Sequence, residues 1–112
     1  MIPKRYRLPA QDFKRVYRDG KRIKGRFGML IWSEDNSLSS PLFGFVVNKK
    51  IGNSVKRHRL VRMLRSLSAD AIKEFQLDGV GIRFEYIAFC FPDSFSSLKS
   101  EFLSQVKRAC LK

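Results

Sequence analysis

Leu42-Phe43-Gly44-Phe45-Val46-Val47-Asn48-Lys49-Lys50-Ile51-Gly52-Asn53-Ser54-Val55-Lys56-Arg57-His58-Arg59-Leu60-Val61-Arg62-Met63-Leu64-Arg65 changes its hydrophobic period part-way along, and that change decides the fold class. Leu42–Val47 is a short apolar run rich in Phe and Val, which is the pattern of a strand. Gly52 breaks the run. Asn53 or Ser54 can then cap a long helix reaching about Phe75. At 100° per residue, Leu60, Val61, Leu64, Leu67, Ala71, Ile72 and Phe75 gather on one broad face of this helix. Arg65, His58, Arg62 and Arg59 fall on the opposite face, and Arg57 lies towards the apolar side in the first turn, where a long side chain can reach around the helix end.

Working outward, Asp78-Gly79 marks a turn and Ile82–Phe91 a strong strand. Pro92-Asp93-Ser94 ends that strand and offers N-caps for a last helix, in which Leu98, Phe102 and Val106 recur every fourth residue. Upstream, Ser33–Pro41 is a polar connection and Phe27–Trp32 an apolar strand. A first helix opens at Leu8-Pro9-Ala10-Gln11-Asp12, with Pro9 in the first turn and Asp12 at the positive end of the dipole. Ala10, Phe13, Val16 and Tyr17 follow at helical spacing, and Gly20 is its stop. The order helix, strand, strand, helix, strand, helix predicts an α/β fold: a compact two-layer α-β sandwich, a small sheet with three main helices.

The 112 residues, 44% of them hydrophobic, suffice for one domain with a real core and are too few for two, so residues 1–112 are read as one domain. No apolar run approaches the ~20 residues that cross a bilayer. Met-Ile-Pro-Lys-Arg-Tyr-Arg at the N-terminus has no apolar segment behind it, so no signal peptide is expected. Cys90 and Cys110 make neither a disulfide framework nor a zinc pattern, and the lone His58 completes no metal site. A reducing cytosol is the expected compartment. A membrane surface is disfavoured because no lipid-insertable apolar stripe backs the basic residues.

The whole net charge of +13 resides in residues 1–69, where 17 Lys and Arg face 4 acids, while residues 70–112 carry six of each sign. From Asn36 to Ala69 there is no acid at all. Lys49, Lys50, Lys56, Arg57, Arg59, Arg62 and Arg65 fall in that stretch, with His58 among them. An ordinary solvated helix face would interleave Glu for i,i+4 pairing. Like charges this dense ask for a polyanion, and arginine suits bidentate phosphate contacts and stacking on unpaired bases. Gly52 would let backbone N–H groups approach an anion at the helix N-terminus. These residues are the candidate RNA-binding set. A DNA-reading helix-turn-helix is disfavoured, because the basic helix follows a strand and not a short helix with a tight turn.

Phe45–Arg65, with its Lys49-Lys50-Ile51-Gly52-Asn53-Ser54-Val55-Lys56-Arg57-His58-Arg59 core, resembles the signature of the protein subunit of bacterial ribonuclease P. The resemblance extends to Arg7-Leu8, to Asp12-Phe13 followed by Val16-Tyr17 and Gly20, and to the closing strand and helix. It departs from the pattern at His58, where the family has Asn, at Val61, where it has Lys, and at Ser66. Tyr86-Ile87-Ala88-Phe89-Cys90 lacks an Arg that often follows this strand. The resemblance implies a left-handed βαβ crossover. It also implies an endoribonuclease whose catalytic centre lies in an RNA subunit, with Mg²⁺ held mainly by that RNA. The implied partners are ribonuclease P RNA and precursor tRNA, with no protein partner required and no membrane.

The implied task is to promote removal of the 5′ leader from precursor tRNA. No catalytic residue is assigned to the protein, since no Ser/His/Asp, Cys/His or carboxylate constellation is visible in the sequence. Phe13 and Tyr17, at i and i+4 of the first helix, are the candidate leader-binding aromatics, because rings stack on single-stranded bases whatever their identity. Lys14 and Arg18, with Arg15 nearby, flank them. The alternative is that both rings pack on the sheet. Lys21, Arg22, Lys24 and Arg26 are expected to continue the positive surface. The competing functional class is a non-enzymatic RNA-binding module, such as a ribosomal protein or RNA chaperone.

Overall fold

A computed structural model describes residues 3–111; Met1 and Ile2 of the N-terminal stretch considered above, and Lys112, lie outside the described residues. The chain forms α1 (Phe13–Asp19), β1 (Lys21–Lys24), β2 (Gly28–Glu34), β3 (Leu42–Val46), α2 (Ser54–Glu74), β4 (Ile82–Ala88) and α3 (Phe95–Cys110). Short 3-10 turns occupy Lys4–Tyr6, Ala10–Asp12 and Lys49–Ile51. The sheet order is β1-β2-β4-β3, with β3 parallel to β4 and the other pairs antiparallel. The β3–α2–β4 segment is therefore a parallel crossover carried by the basic helix.

The anticipated caps are present. The Asn53 side chain accepts from the Lys56 N–H at 2.9 Å, and Ser94 accepts from Ser97 at 3.1 Å. Gly52 has φ 151°, in a region that other residues rarely adopt, and it turns the chain out of the Lys49–Ile51 segment into α2. Three details depart from the sequence reading. Ala10–Asp12 is a 3-10 turn leading into α1, and Asp12 pairs with Arg83 at 3.4 Å rather than serving only the helix dipole. β4 ends at Ala88, although the Phe89 N–H still donates to the Phe27 carbonyl at 2.8 Å. Lys21–Lys24 is a fourth strand that its single apolar residue, Ile23, did not announce.

Consecutive strand residues point to opposite faces, and the packing divides accordingly. Leu30, Phe43, Phe84 and Tyr86 face α2 and α3, joining Leu60, Leu64, Leu67, Leu98, Phe102 and Val106 in the main core. The rings of Phe43 and Phe84 stack at 4.7 Å, and Tyr86 meets Phe102 edge-on at 5.4 Å. Ile31 faces the other way, where it joins Leu8 and Val16 in a second, much smaller cluster beneath α1. Sheet and α2/α3 make the two-layer body, and the short α1 lies across the second face.

The β1–β2 turn is fastened by α3. The Gln105 amide donates to the carbonyls of Ile23 and Gly28, both at 3.1 Å. The Glu101 carboxylate accepts from the Phe27 N–H at 3.0 Å. The Glu101 bond pairs the buried Phe27 N–H, and the Gln105 amide adds a second donor to the Gly28 carbonyl, which also accepts from the Gly25 N–H at 2.9 Å.

Candidate nucleic-acid interface

α2 buries Leu60, Leu64, Leu67, Ser68, Ala71 and Ile72 and leaves its cations outside. Lys56, His58, Arg59 and Arg62 are exposed, Arg57 and Arg65 half-buried, and Lys49 and Lys50 exposed on the turn before the helix. Ser68, which the apolar pattern skipped, is accommodated by donating to the Leu64 carbonyl at 2.8 Å. Val61 is half-buried, in keeping with its place beside the apolar face.

Two shallow grooves run along the outer face of α2. One is lined by Val47, Ser54, Arg57, His58, Val61 and Arg65, the other by Ser54, Val55, His58, Arg59 and Arg62. His58 stands between them. None of the cations on this face is drawn into an ion pair with a described acid, since the ion pairs present involve Arg15, Arg18, Arg26 and Arg83. The Arg57 Nε is enclosed without a hydrogen-bond partner. An unpaired row of guanidinium groups beside grooves is suited to phosphates.

The second face is built differently. Across the sheet runs the row Arg22–Ile31–Glu85–Gly44, and next to it Lys24–Met29–Ile87–Val46. Phe13 lies over Gly44, where a Cβ would come within 2.3 Å of the Phe13 Cζ, so only glycine admits the ring there. Val16 packs with Ile31. Met29, Ile87 and Val46 remain half-buried beside α1, and Tyr17 is 48% exposed. The sequence reading placed Phe13 and Tyr17 on one side of α1; the structure makes Phe13 half-buried packing and Tyr17 an exposed ring. Lys14 and Arg18 are exposed, and Arg18 pairs with Asp19 at 3.0 Å.

Several features here escaped the sequence reading. Phe89, counted within an apolar strand, is 41% exposed, with the Lys24 ammonium 5.9 Å from its ring centroid. Arg22 lies 4.3 Å from the Tyr17 ring centroid and donates to the Tyr17 carbonyl. Glu85 is 3% exposed, and its Oε1 has no partner. Burial pushes the Glu85 carboxyl up to about 7, against a smaller opposing pull from Arg22. The strand's alternation could have flagged Glu85, since it shares a side with Arg83 and Ile87, opposite Phe84 and Tyr86.

Nearby, the Ser37 hydroxyl and the Arg83 guanidinium hold the Asp35 carboxyl well below its usual range. Arg83 reaches Asp35 at 2.7 Å while also meeting Asp12, tying the start of α1 to β4 and the β2–β3 connection. Among the described residues, no three His, Cys, Asp or Glu side chains gather as metal ligands, and no helix is long and apolar enough to cross a membrane. Cys90 and Cys110 are free thiols.

Comparison with known proteins agrees with this architecture. The chain is 38% identical over 77 residues to the ribonuclease P protein component of Syntrophomonas wolfei, covering 68% of this chain and 60% of that protein. It is 42% identical over 71 residues to the component from Acidothermus cellulolyticus, covering 62% and 59%. These matches thus span about 60% of the relatives' length. The fold matches the Staphylococcus aureus RNase P protein with a TM-score of 0.77 at 22% identity, covering 94% of this chain and 95% of that one. It matches the Thermotoga maritima RNase P protein with a TM-score of 0.75 at 19% identity, covering 91% and 96%. The family model for ribonuclease P matches residues 2–110, nearly the whole sequence, and the chain belongs to the ribonuclease P family.

Proposed function

We propose that this chain is the protein subunit of a ribonuclease P ribonucleoprotein, acting as a single domain over residues 1–112 in the cytoplasm. The observation that carries this reading is the family match across residues 2–110. In it, Lys49, Lys50, Lys56, Arg57, His58, Arg59, Arg62 and Arg65 bind the catalytic RNA. Their charge lowers the repulsion between two polyanions, the RNA subunit and precursor tRNA. The 5′ leader lies against α1, where Tyr17 stacks on an unpaired base, Phe13 lines the sheet side, and Lys14 and Arg18 face phosphates. Endonucleolytic removal of the leader yields the mature tRNA 5′ end.

The chemistry belongs to the RNA subunit, whose Mg²⁺ would activate the attacking water. The protein binds and positions, and requires no protein partner for it. The described side chains offer no three-ligand acidic cluster for a cation, and no step is assigned to one.

The test is reconstitution. RNA-free protein is added to a bacterial ribonuclease P RNA with leader-bearing precursor tRNA across a Mg²⁺ series. The expected result is cleavage at lower Mg²⁺ than the RNA needs alone, and none by the protein alone. Binding to RNA without any change in the Mg²⁺ requirement would favour a plain RNA-binding module. Site-specific cleavage by RNA-free protein would overturn the placement of catalysis.

A further inference from the structure

We infer that Glu85 is a positioning residue for leader binding: it draws the Arg22 guanidinium off the Tyr17 ring when a base takes that ring. This rests on the reading of Tyr17 as a leader-stacking residue. Arg22 now occupies the surroundings of that ring, 4.3 Å from its centroid and bonded to the Tyr17 carbonyl. A base and a guanidinium cannot cover the same part of one ring, so stacking there requires Arg22 to move or to share the site. A cation leaving an aromatic face needs another partner nearby, and the sheet supplies one.

Arg22, Ile31 and Glu85 are successive cross-strand neighbours on one face, so the Glu85 carboxylate lies two strands from the Arg22 backbone with only the Ile31 side chain between. An arginine side chain spans that interval. Glu85 is buried and its Oε1 has no hydrogen-bond partner, which is costly for an ionised carboxylate and is relieved by pairing. Among the described residues, Arg22 is the cation whose charge acts on Glu85. Arg83, on the same strand, is held by Asp12 and Asp35 at 3.4 and 2.7 Å. In the cross-strand row β2 and β3 present Ile31 and Gly44 beside Glu85, and Lys24, in the next row, sits 5.9 Å from the Phe89 ring centroid.

The movement has a proton signature. In the ligand-free protein burial lifts the Glu85 carboxyl to about 7. Pairing with Arg22 favours the ionised form and brings the value down. Leader binding therefore releases a proton near neutrality, and the leader-dependent part of the affinity rises as pH goes from 6 to 8.

The experiment uses the reconstituted holoenzyme. Affinities for precursor tRNA with a five-nucleotide leader and for mature tRNA are measured from pH 6 to 8, and their ratio isolates the leader. Wild type, Glu85→Gln, Arg22→Met and the double variant are compared. The expected loss for Glu85→Gln at pH 8 is roughly five- to tenfold in that ratio, at the lower end of coupling between linked groups. Its pH profile should be flat. In the Arg22→Met background, where nothing has to be moved, Glu85→Gln should change the ratio no further. Additive losses in the double variant, or a Glu85→Gln loss shared equally by mature tRNA, would overturn the inference while leaving the leader reading intact. A wild-type ratio of one, with no preference for the leader at any pH, would remove the leader reading itself.

Discussion

The two faces of the sheet are packed to different standards. Against α2 and α3, Leu30, Phe84, Tyr86, Phe102, Leu64 and Val106 are all buried, and the rings meet in stacked or edge-on geometry. Against α1, the buried apolar residues are Leu8, Val16 and Ile31, with a buried carboxylate, half-buried Phe13, Met29 and Ile87, and an exposed tyrosine beside them. One face supplies stability. The other gives up packing density and leaves an exposed ring beside a buried carboxylate. Buried apolar area scales with stabilisation, so the faces should respond differently to the same kind of damage.

The widest gap should come from truncating each face. Phe102→Ala, at a residue 0% exposed, should cost about 3–5 kcal/mol in urea unfolding. Val16→Ala beneath α1 removes two methyl groups and should cost about 2 kcal/mol, at ~0.8 per buried carbon plus a small cavity. Equal costs would mean that the α1 face is as much a part of the core as the other.

A second contrast is electrostatic. Glu85 has a raised carboxyl value in the folded state, so the folded chain binds its proton more tightly than the unfolded chain does. Its contribution to stability is therefore best below about pH 4.5 and is lost as pH rises through about 7. The loss is bounded by about 3.5 kcal/mol, at about 1.4 per unit over the rise from 4.5 to about 7. Glu85→Leu should remove this pH dependence and raise stability at pH 8, read from unfolding curves at pH 5 and 8. No comparable trend is expected from the α2 and α3 face, where the buried polar groups are Ser68, Gln105 and the Tyr86 hydroxyl, which burial pushes further above the neutral range.

The functional halves should also separate. Tyr17→Ala should weaken binding of leader-bearing precursor tRNA by the holoenzyme roughly five- to a hundredfold, since a stacked base is worth about 1–3 kcal/mol. Mature tRNA binding and assembly with the RNA subunit should be unchanged. A loss shared by mature tRNA would place Tyr17 in the assembly surface or the fold. Arg59→Ala with Arg62→Ala should act on assembly, reducing the slope of log affinity against log salt by roughly 1.4–1.8, at about 0.7–0.9 per phosphate contact. An unchanged slope in a folded variant would leave those arginines as solvated surface.

The faces also differed in how far they could be read from sequence. α2 was legible to within a residue at its start, because Asn53 caps it and leucines recur on one side while cations hold the other. The β3–α2–β4 order followed from the change of hydrophobic period. β1 was not legible: Lys-Arg-Ile-Lys has one apolar residue, and its strand geometry comes from pairing with β2 rather than from its own composition. Nor does local pattern say on which side of a sheet a helix lands, so α1's placement opposite α2 emerged only with the packing.

Phe89 and Glu85 show the same limit. Both sit in or just beyond a run that reads as buried strand, yet one is exposed under Lys24 and the other is an unpartnered acid. Their surroundings are set by β1 and α1, elements distant in sequence and weakly written.

The fastening of the β1–β2 turn by Gln105 has a consequence for the order in which the chain is made. The carbonyls of Ile23 and Gly28 receive the Gln105 amide from 82 and 77 residues further along the chain. At about 5–20 residues per second of synthesis, that interval is roughly 4–16 s. Until then those carbonyls lack the Gln105 amide, the Gly28 carbonyl keeping only the Gly25 N–H at 2.9 Å, and the Tyr86 ring lacks its edge-on contact with Phe102. The polycationic helix α2 is therefore made before the last helix can fasten the hairpin. Closure waits for the last helix, so a stall anywhere before residue 105 would leave an adhesive, half-covered sheet rather than a smaller folded protein.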